Sequence, residues 1–238
     1  MTKNELIDEA IKAAQRELGL TADGDFGPIT TAKAANYDIK FIAVASVKPA
    51  VPLDSLDYFG APWIGSYIHL LGKYETDPEL NAALVPEWSK EGLPQFKTLA
   101  GNDHAWCSVL VNASFRRVGI KPTNSALASS WRTFGVRASG WWFGAPCSMQ
   151  HPSGGNHVGF FLYWVDQAKG LAAFYSGNSG NRLCVAQYNF SGHAKGHDEV
   201  KNGPRWPEGW PQGQELTQAQ VLAAYPHLKI GGTAESTR

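Results

Sequence analysis

The stretch Asn102-Asp103-His104-Ala105-Trp106-Cys107-Ser108-Val109-Leu110-Val111-Asn112-Ala113-Ser114-Phe115-Arg116-Arg117-Val118-Gly119 decides how this chain is read. Asn102 or Asp103 is a good N-cap, because a short side-chain oxygen accepts from the free N–H groups of a first helical turn. Gly119 then closes a helix of about four turns. Cys107, Leu110, Val111, Ser114 and Val118 fall on one face of it, at the spacing that buries a helix against a core. Cys107 stands in the first turns, near the positive end of the helix dipole, where a thiolate is stabilised. Position alone does not make it reactive, since a cysteine in a reducing compartment is more often a small buried hydrophobe.

Strands follow in the second half. Ser153-Gly154-Gly155-Asn156-His157-Val158-Gly159-Phe160-Phe161-Leu162-Tyr163-Trp164-Val165 is a Gly-rich turn leading into aromatic and β-branched residues. His157 opens this strand on the same side as Gly159 and Phe161, with glycines near it that leave room for an approaching group. A second strand, Ala172–Asn178, ends at a Ser-Gly-Asn turn, and a third runs from Arg182 to Phe190. Antiparallel pairing of these strands sets Asn178 beside His157. One buried helix followed by neighbouring antiparallel strands reads as an α+β fold, with helices packed on a small antiparallel sheet.

Four features in chain order carry a family resemblance: Trp106-Cys107 through Val118-Gly119, the serine-rich Ser125–Trp131, Asn156-His157-Val158-Gly159-Phe160, and Gly177-Asn178-Ser179-Gly180-Asn181. Together they resemble the CHAP and NlpC-type (papain-like) cysteine peptidases, in the branch of phage endolysins and bacterial cell-wall hydrolases. The resemblance implies a papain-like fold, with Cys107 as nucleophile, His157 as base and Asn178 as the third polar residue. Asp103, His104 and Trp106 are candidates for supporting roles. The implied substrate is a peptidoglycan amide, cut as an N-acetylmuramoyl-L-alanine amidase or an endopeptidase would cut it, with no cofactor and no metal. The family usually carries a Gly-Asp-aliphatic strand shortly before the histidine. Here Gly144-Ala145-Pro146-Cys147-Ser148-Met149-Gln150-His151 stands there, which leaves a shortened strand or a loop as alternatives.

The N-terminal end has its own pattern. Leu6, Ile7, Ala10, Ile11, Ala14 and Leu18 give a helix one apolar face, and Gly19 is placed to end it. Gln15–Ala32 contains Leu20-Thr21-Ala22-Asp23-Gly24-Asp25-Phe26-Gly27-Pro28-Ile29-Thr30, which resembles the core of a peptidoglycan-binding repeat. The family module usually has three helices, so this copy is a truncated one; Asp23, Gly24, Phe26 and Gly27 are its candidate wall-binding residues. The expected organisation is a helical module over 1–40, a Pro-containing linker over 41–57, a catalytic domain over 58–230 and a flexible tail over 231–238.

Composition narrows the function classes. Lys plus Arg equals Asp plus Glu at 21 each, so no global field draws the chain to nucleic acid or to an acidic membrane. Nine tryptophans with 14 prolines and 25 glycines among 238 residues suggest loop-rich β structure with aromatic surfaces. Three cysteines (Cys107, Cys147, Cys184) are too sparse for a disulfide framework and suit synthesis in a reducing compartment. The acidic N-terminus lacks the apolar run of a signal peptide, and no stretch reaches the length of a membrane span. The expectation is therefore a monomer made in the cytoplasm that reaches the wall with the help of a pore protein such as a holin. A secreted interbacterial toxin with the same chemistry and a non-catalytic wall binder are the alternatives. His193 and His197 could hold zinc only on a helix, which Gly192 and Gly196 oppose. Trp141-Trp142-Phe143 reads equally as the lining of a sugar or peptide groove and as core.

Overall fold

In a computed structural model the chain divides into two compact units, Met1–Ala50 and Val51–Arg238. The structure describes Lys12 and residues 58–101, 105–151, 155–190 and 199–233. Asp23, Gly24, Phe26 and Gly27 lie outside these residues, as does the expected linker; Lys12, in the first unit, is helical.

The second unit is α+β. Its main sheet is assembled from β2 (Pro146–Gln150), β3 (Asn156–Asp166), β4 (Leu171–Ser176), β5 (Cys184–Asn189), β6 (Glu199–Val200) and β8 (Gly232–Thr233), in the order β6-β2-β3-β4-β5-β8. All neighbours are antiparallel except β5 and β8, where Ala186 pairs with Gly232 in parallel. The sheet thus takes up Gly232 and Thr233 from the expected tail. Two further strands, β1 (Val136–Arg137) and β7 (Arg205–Trp206), form a separate antiparallel ribbon. The segment before the histidine is a strand and not a loop: β2 lies between β6 and β3, with Cys147 fully buried.

Before the sheet comes a 3-10 helix over Pro62–Leu70, then α1 (Pro78–Leu84) running into a second 3-10 turn over Val85–Glu91. Pro62 suits the first position because its fixed φ is helical and its missing N–H costs nothing there. Next is α2 (Cys107–Arg117); a last helix, α3 (Gln218–Ala224), is opened by a Thr217–Gln220 capping box. Among the described residues no helix is long and apolar enough to cross a membrane.

α2 is shorter than the sequence pattern suggested. Its N-cap is Trp106, without a side-chain capping bond, so Cys107 is its first residue and it runs for 11 residues. It ends as expected at Gly119, whose φ of +76° is in the left-handed region. The N–H of Gly119 bonds the carbonyl of Arg116 and that of Ile120 bonds Phe115, the paired bonds of a Schellman stop.

Every residue from Cys107 to Phe115 is buried, and not one face only. Phe115 is the hub: its ring meets Trp63, Trp131, Phe134 and Phe160 at centroid distances of 4.9, 5.5, 5.0 and 5.6 Å. Trp63, Trp88, Trp106, Trp131 and Trp206 are all fully buried, so most of the nine tryptophans build core and not an aromatic surface.

Of the buried polar side chains on this helix, Ser108 and Asn112 are hydrogen-bonded, whereas Ser114 Oγ has no partner among the described residues. The Asn112 amide donates to the Ser108 and Ser125 carbonyls and to the Glu91 carboxylate, and accepts from Thr123 Oγ1 and the Asn124 N–H. Arg116 pairs with both Glu87 and Glu91. Ser108 Oγ donates to the Ser125 carbonyl and accepts from Trp131 Nε1 at 2.8 Å. This network ties the 123–131 loop to α2 directly beneath Cys107.

Candidate active site

The site forms where β4 stops short of β3. The last strand pair in register is Phe160 with Tyr175, and beyond Ser176 the chain turns away through Gly177. A side chain at Gly177 would strike the Trp106 indole at 2.4 Å and crowd Leu110 at 3.3 Å. The residue before the cysteine and the residue before Asn178 are therefore in direct contact, which joins two of the sequence motifs. Asn178 is buried in the left-handed region at φ +59°, a conformation Asn tolerates better than most residues.

Cys107 is 2% exposed. Burial pushes its thiol above the ordinary range; the N–H groups of Val158, Ser108 and Cys107 itself act in the opposite direction, as donors to the ionised sulfur. The expected thiolate stabilisation at the helix start is thus present but outweighed by desolvation. The Val158 N–H belongs to the His157–Val158 peptide, so the thiol lies against the backbone of the candidate base.

The imidazole goes the other way. Successive strand residues alternate faces. Val158 and Phe160 join the core on the α2 side, whereas Phe161 packs with Met149, Phe174 and Tyr188 on the far side. His157 follows that second set: its ring stacks on Tyr188 at 5.6 Å and 19°. Tyr188 Oη is hydrogen-bonded to Ser179 Oγ at 2.6 Å, and Ser179 to Ser176 Oγ at 3.1 Å. Burial lowers the imidazole pKa to about 3, and Nε2 is buried with no hydrogen-bond partner among the described residues.

The structure therefore brings Cys107 to the His157 backbone, and Trp106 to the turn that carries Asn178. It shows no hydrogen bond from the imidazole to the thiol or to the Asn178 amide. Both titratable groups are neutral at rest, which opposes a preformed thiolate–imidazolium pair. Asp103 and His104 lie outside the described residues, as do His193 and His197. Among the described residues no three His, Cys, Asp or Glu side chains gather as a metal site.

Sequence reasoning missed Tyr188 and Ser179. The available signal was alternation along β5, which puts Tyr188 on the face of Cys184 and Ala186. Comparison with known proteins adds nothing to this geometry: no family model, curated protein or solved structure matches the chain.

Proposed function

We propose that this chain is a thiol-dependent peptidoglycan hydrolase of papain-like fold, with Cys107 as nucleophile, His157 as general base and Asn178 as the orienting amide. The observation that carries the reading is the surroundings of the thiol: it opens a buried helix, three main-chain N–H groups face it, and the peptide of His157 lies against it. Such donors favour negative charge on sulfur as it forms and on a carbonyl oxygen brought beside it. The resemblance of its motifs to those of wall hydrolases suggests the substrate class.

With both groups neutral, the reaction begins by proton transfer and not from an ion pair. The imidazole takes the Sγ proton while sulfur attacks the amide carbonyl, giving a tetrahedral oxyanion. The imidazolium returns the proton to the leaving amine, a thioester remains, and water activated by the same imidazole releases the acid. For this the ring must leave its stack on Tyr188, and because its Cβ points to the face away from Cys107, the backbone at the start of β3 must turn with it. Asn178, on the turn after β4, would then orient the ring through its amide.

One observation favours a second reading. The imidazole is stacked away from the thiol and strongly desolvated, as it would be in a wall-binding protein whose site has lapsed. Mass spectrometry of muropeptides released from purified sacculi separates the two. Cys107→Ala is expected to lower release by roughly 10³-fold or more while sacculus binding persists. Equal release by wild type and variant ends the hydrolase reading. The released fragments also distinguish amidase from endopeptidase cleavage.

A further inference from the structure

β3 starts at Asn156, and its residues alternate faces, so Asn156 shares with Val158 and Phe160 the face that α2 covers. Asn156 is exposed, and its Oδ1 accepts from Arg132 Nη2 at 2.6 Å. Arg132 belongs to a 3-10 helix over Ala128–Thr133 that is tied down on both sides of it. The indole of Trp131 is fully buried and donates to Ser108 Oγ, beside Cys107 in the chain. The Arg132 carbonyl accepts from the Asn202 amide at 3.3 Å.

This guanidinium carries a charge that no described residue answers. Nη2 meets the neutral Asn156 amide; Nε is buried without a partner, and Nη1 stays at the surface without one among the described residues. Glu199 shares a row of the sheet with Gln150 and Asn156, but it is ion-paired with Lys201. A half-buried cation without a counter-ion costs stability, and proteins ordinarily pair it. A planar guanidinium held in a fixed direction suits a carboxylate better than any other common peptide group.

The position ties this cation to the thiol. Val158, whose N–H faces Cys107 Sγ, stands two residues along β3 from Asn156, roughly 7 Å at about 3.3 Å per residue. That separation is the length of a short peptide segment. We infer that Arg132 is a specificity-determining residue of the candidate site and takes a free carboxylate of the peptide close to the attacked amide. A glutamyl residue linked through its side chain keeps its α-carboxylate free, with a few bonds between that group and the amide. The choice of such a wall peptide as carrier rests on the wall-hydrolase reading.

The test uses the full chain carrying Cys107→Ala and two peptides, N-acetylmuramyl-L-alanyl-γ-D-glutamyl-L-lysine amide and its counterpart with the glutamyl α-carboxylate converted to an amide. The first has one carboxylate and the second none. Calorimetry is expected to show the acid form binding at least tenfold more tightly, and adding Arg132→Gln is expected to remove that preference. Asn156→Ala, at an exposed position, releases the guanidinium and should weaken the acid form severalfold while leaving the amide form unchanged. Equal binding of the two peptides, no binding of either, or a preference that survives Arg132→Gln overturns the assignment. Muropeptide release from sacculi by the wild type, measured in parallel, keeps the two claims apart. Release without an Arg132-dependent preference removes the carboxylate subsite alone; the preference without release removes the hydrolase reading and leaves the subsite.

Discussion

The two faces of the central sheet hold the candidate nucleophile and the candidate base in different ways. On the α2 face, Cys107 sits above a network in which the polar groups of Ser108 and Asn112 are bonded, and Arg116 ties two carboxylates to the helix. On the other face, His157 is held by ring stacking and burial, and its Nε2 has no partner among the described residues. Hydrogen bonds fix direction, whereas stacking fixes a plane and permits rotation. The comparison teaches that the thiol side is the anchored half of the site and the imidazole side the adjustable half.

The largest effect is expected from breaking the anchor. Glu91 has a carboxylate with no solvent exposure, and burial raises its pKa even with Arg116 beside it. Arg116→Met leaves that carboxylate buried with the Asn112 amide but without its ion-pair partner, for an expected loss of about 3–5 kcal/mol in urea unfolding. The double variant with Glu91→Gln should recover part of it. No recovery would mean that α2 is anchored by packing alone.

A smaller loss is expected where the two halves meet. Gly177→Ala pushes a methyl group into the Trp106 indole, so about 1–3 kcal/mol of stability should go, together with activity on sacculi. A thermal melt and a release assay check this; an unchanged melt would show that the turn carrying Asn178 can shift at no cost.

A test spread over pH concerns the adjustable side. The folded chain leaves His157 unprotonated down to about pH 3, while the unfolded chain takes up that proton near the ordinary 6.5. The unfolded state binds more protons between those values, so stability falls as pH drops from about 6.5 toward about 3. One site gives at most about 1.4 kcal/mol per pH unit. His157→Gln should flatten this acid limb in melts recorded at stepped pH. An unaltered slope would mean that the ring is already hydrated and free to meet the thiol.

Much of this was legible in the sequence, for reasons that differ by residue. The aromatic run after His157 reads as a strand because its composition admits little else, and β3 begins only one residue earlier, at Asn156. Gly119 announces the end of α2 because few other residues take its backbone conformation. Cys107, His157 and Asn178 could be nominated from residue type and motif order. Their relation in space could not. The direction of the imidazole depends on Tyr188, which reaches it from β5, two strands away in the sheet. The burial that lifts the thiol depends on β3, whose Val158 N–H reaches it from much later in the chain. Asn112 would pass for a solvent-facing helix residue until Glu91 and the 123–131 loop close over it.

The order of the sheet has a consequence for behaviour in concentrated solution. Its outermost strands, β6 and β8, are two residues each, while the six- and eleven-residue strands β5, β4 and β3 lie inside. A long exposed edge is a template on which a second chain can add a strand and begin a fibre. Here β3 and β4 are paired on both sides, and among the described residues β6 and β8 each cover two residues of the strand beside them, so a long uninterrupted edge is broken at each margin.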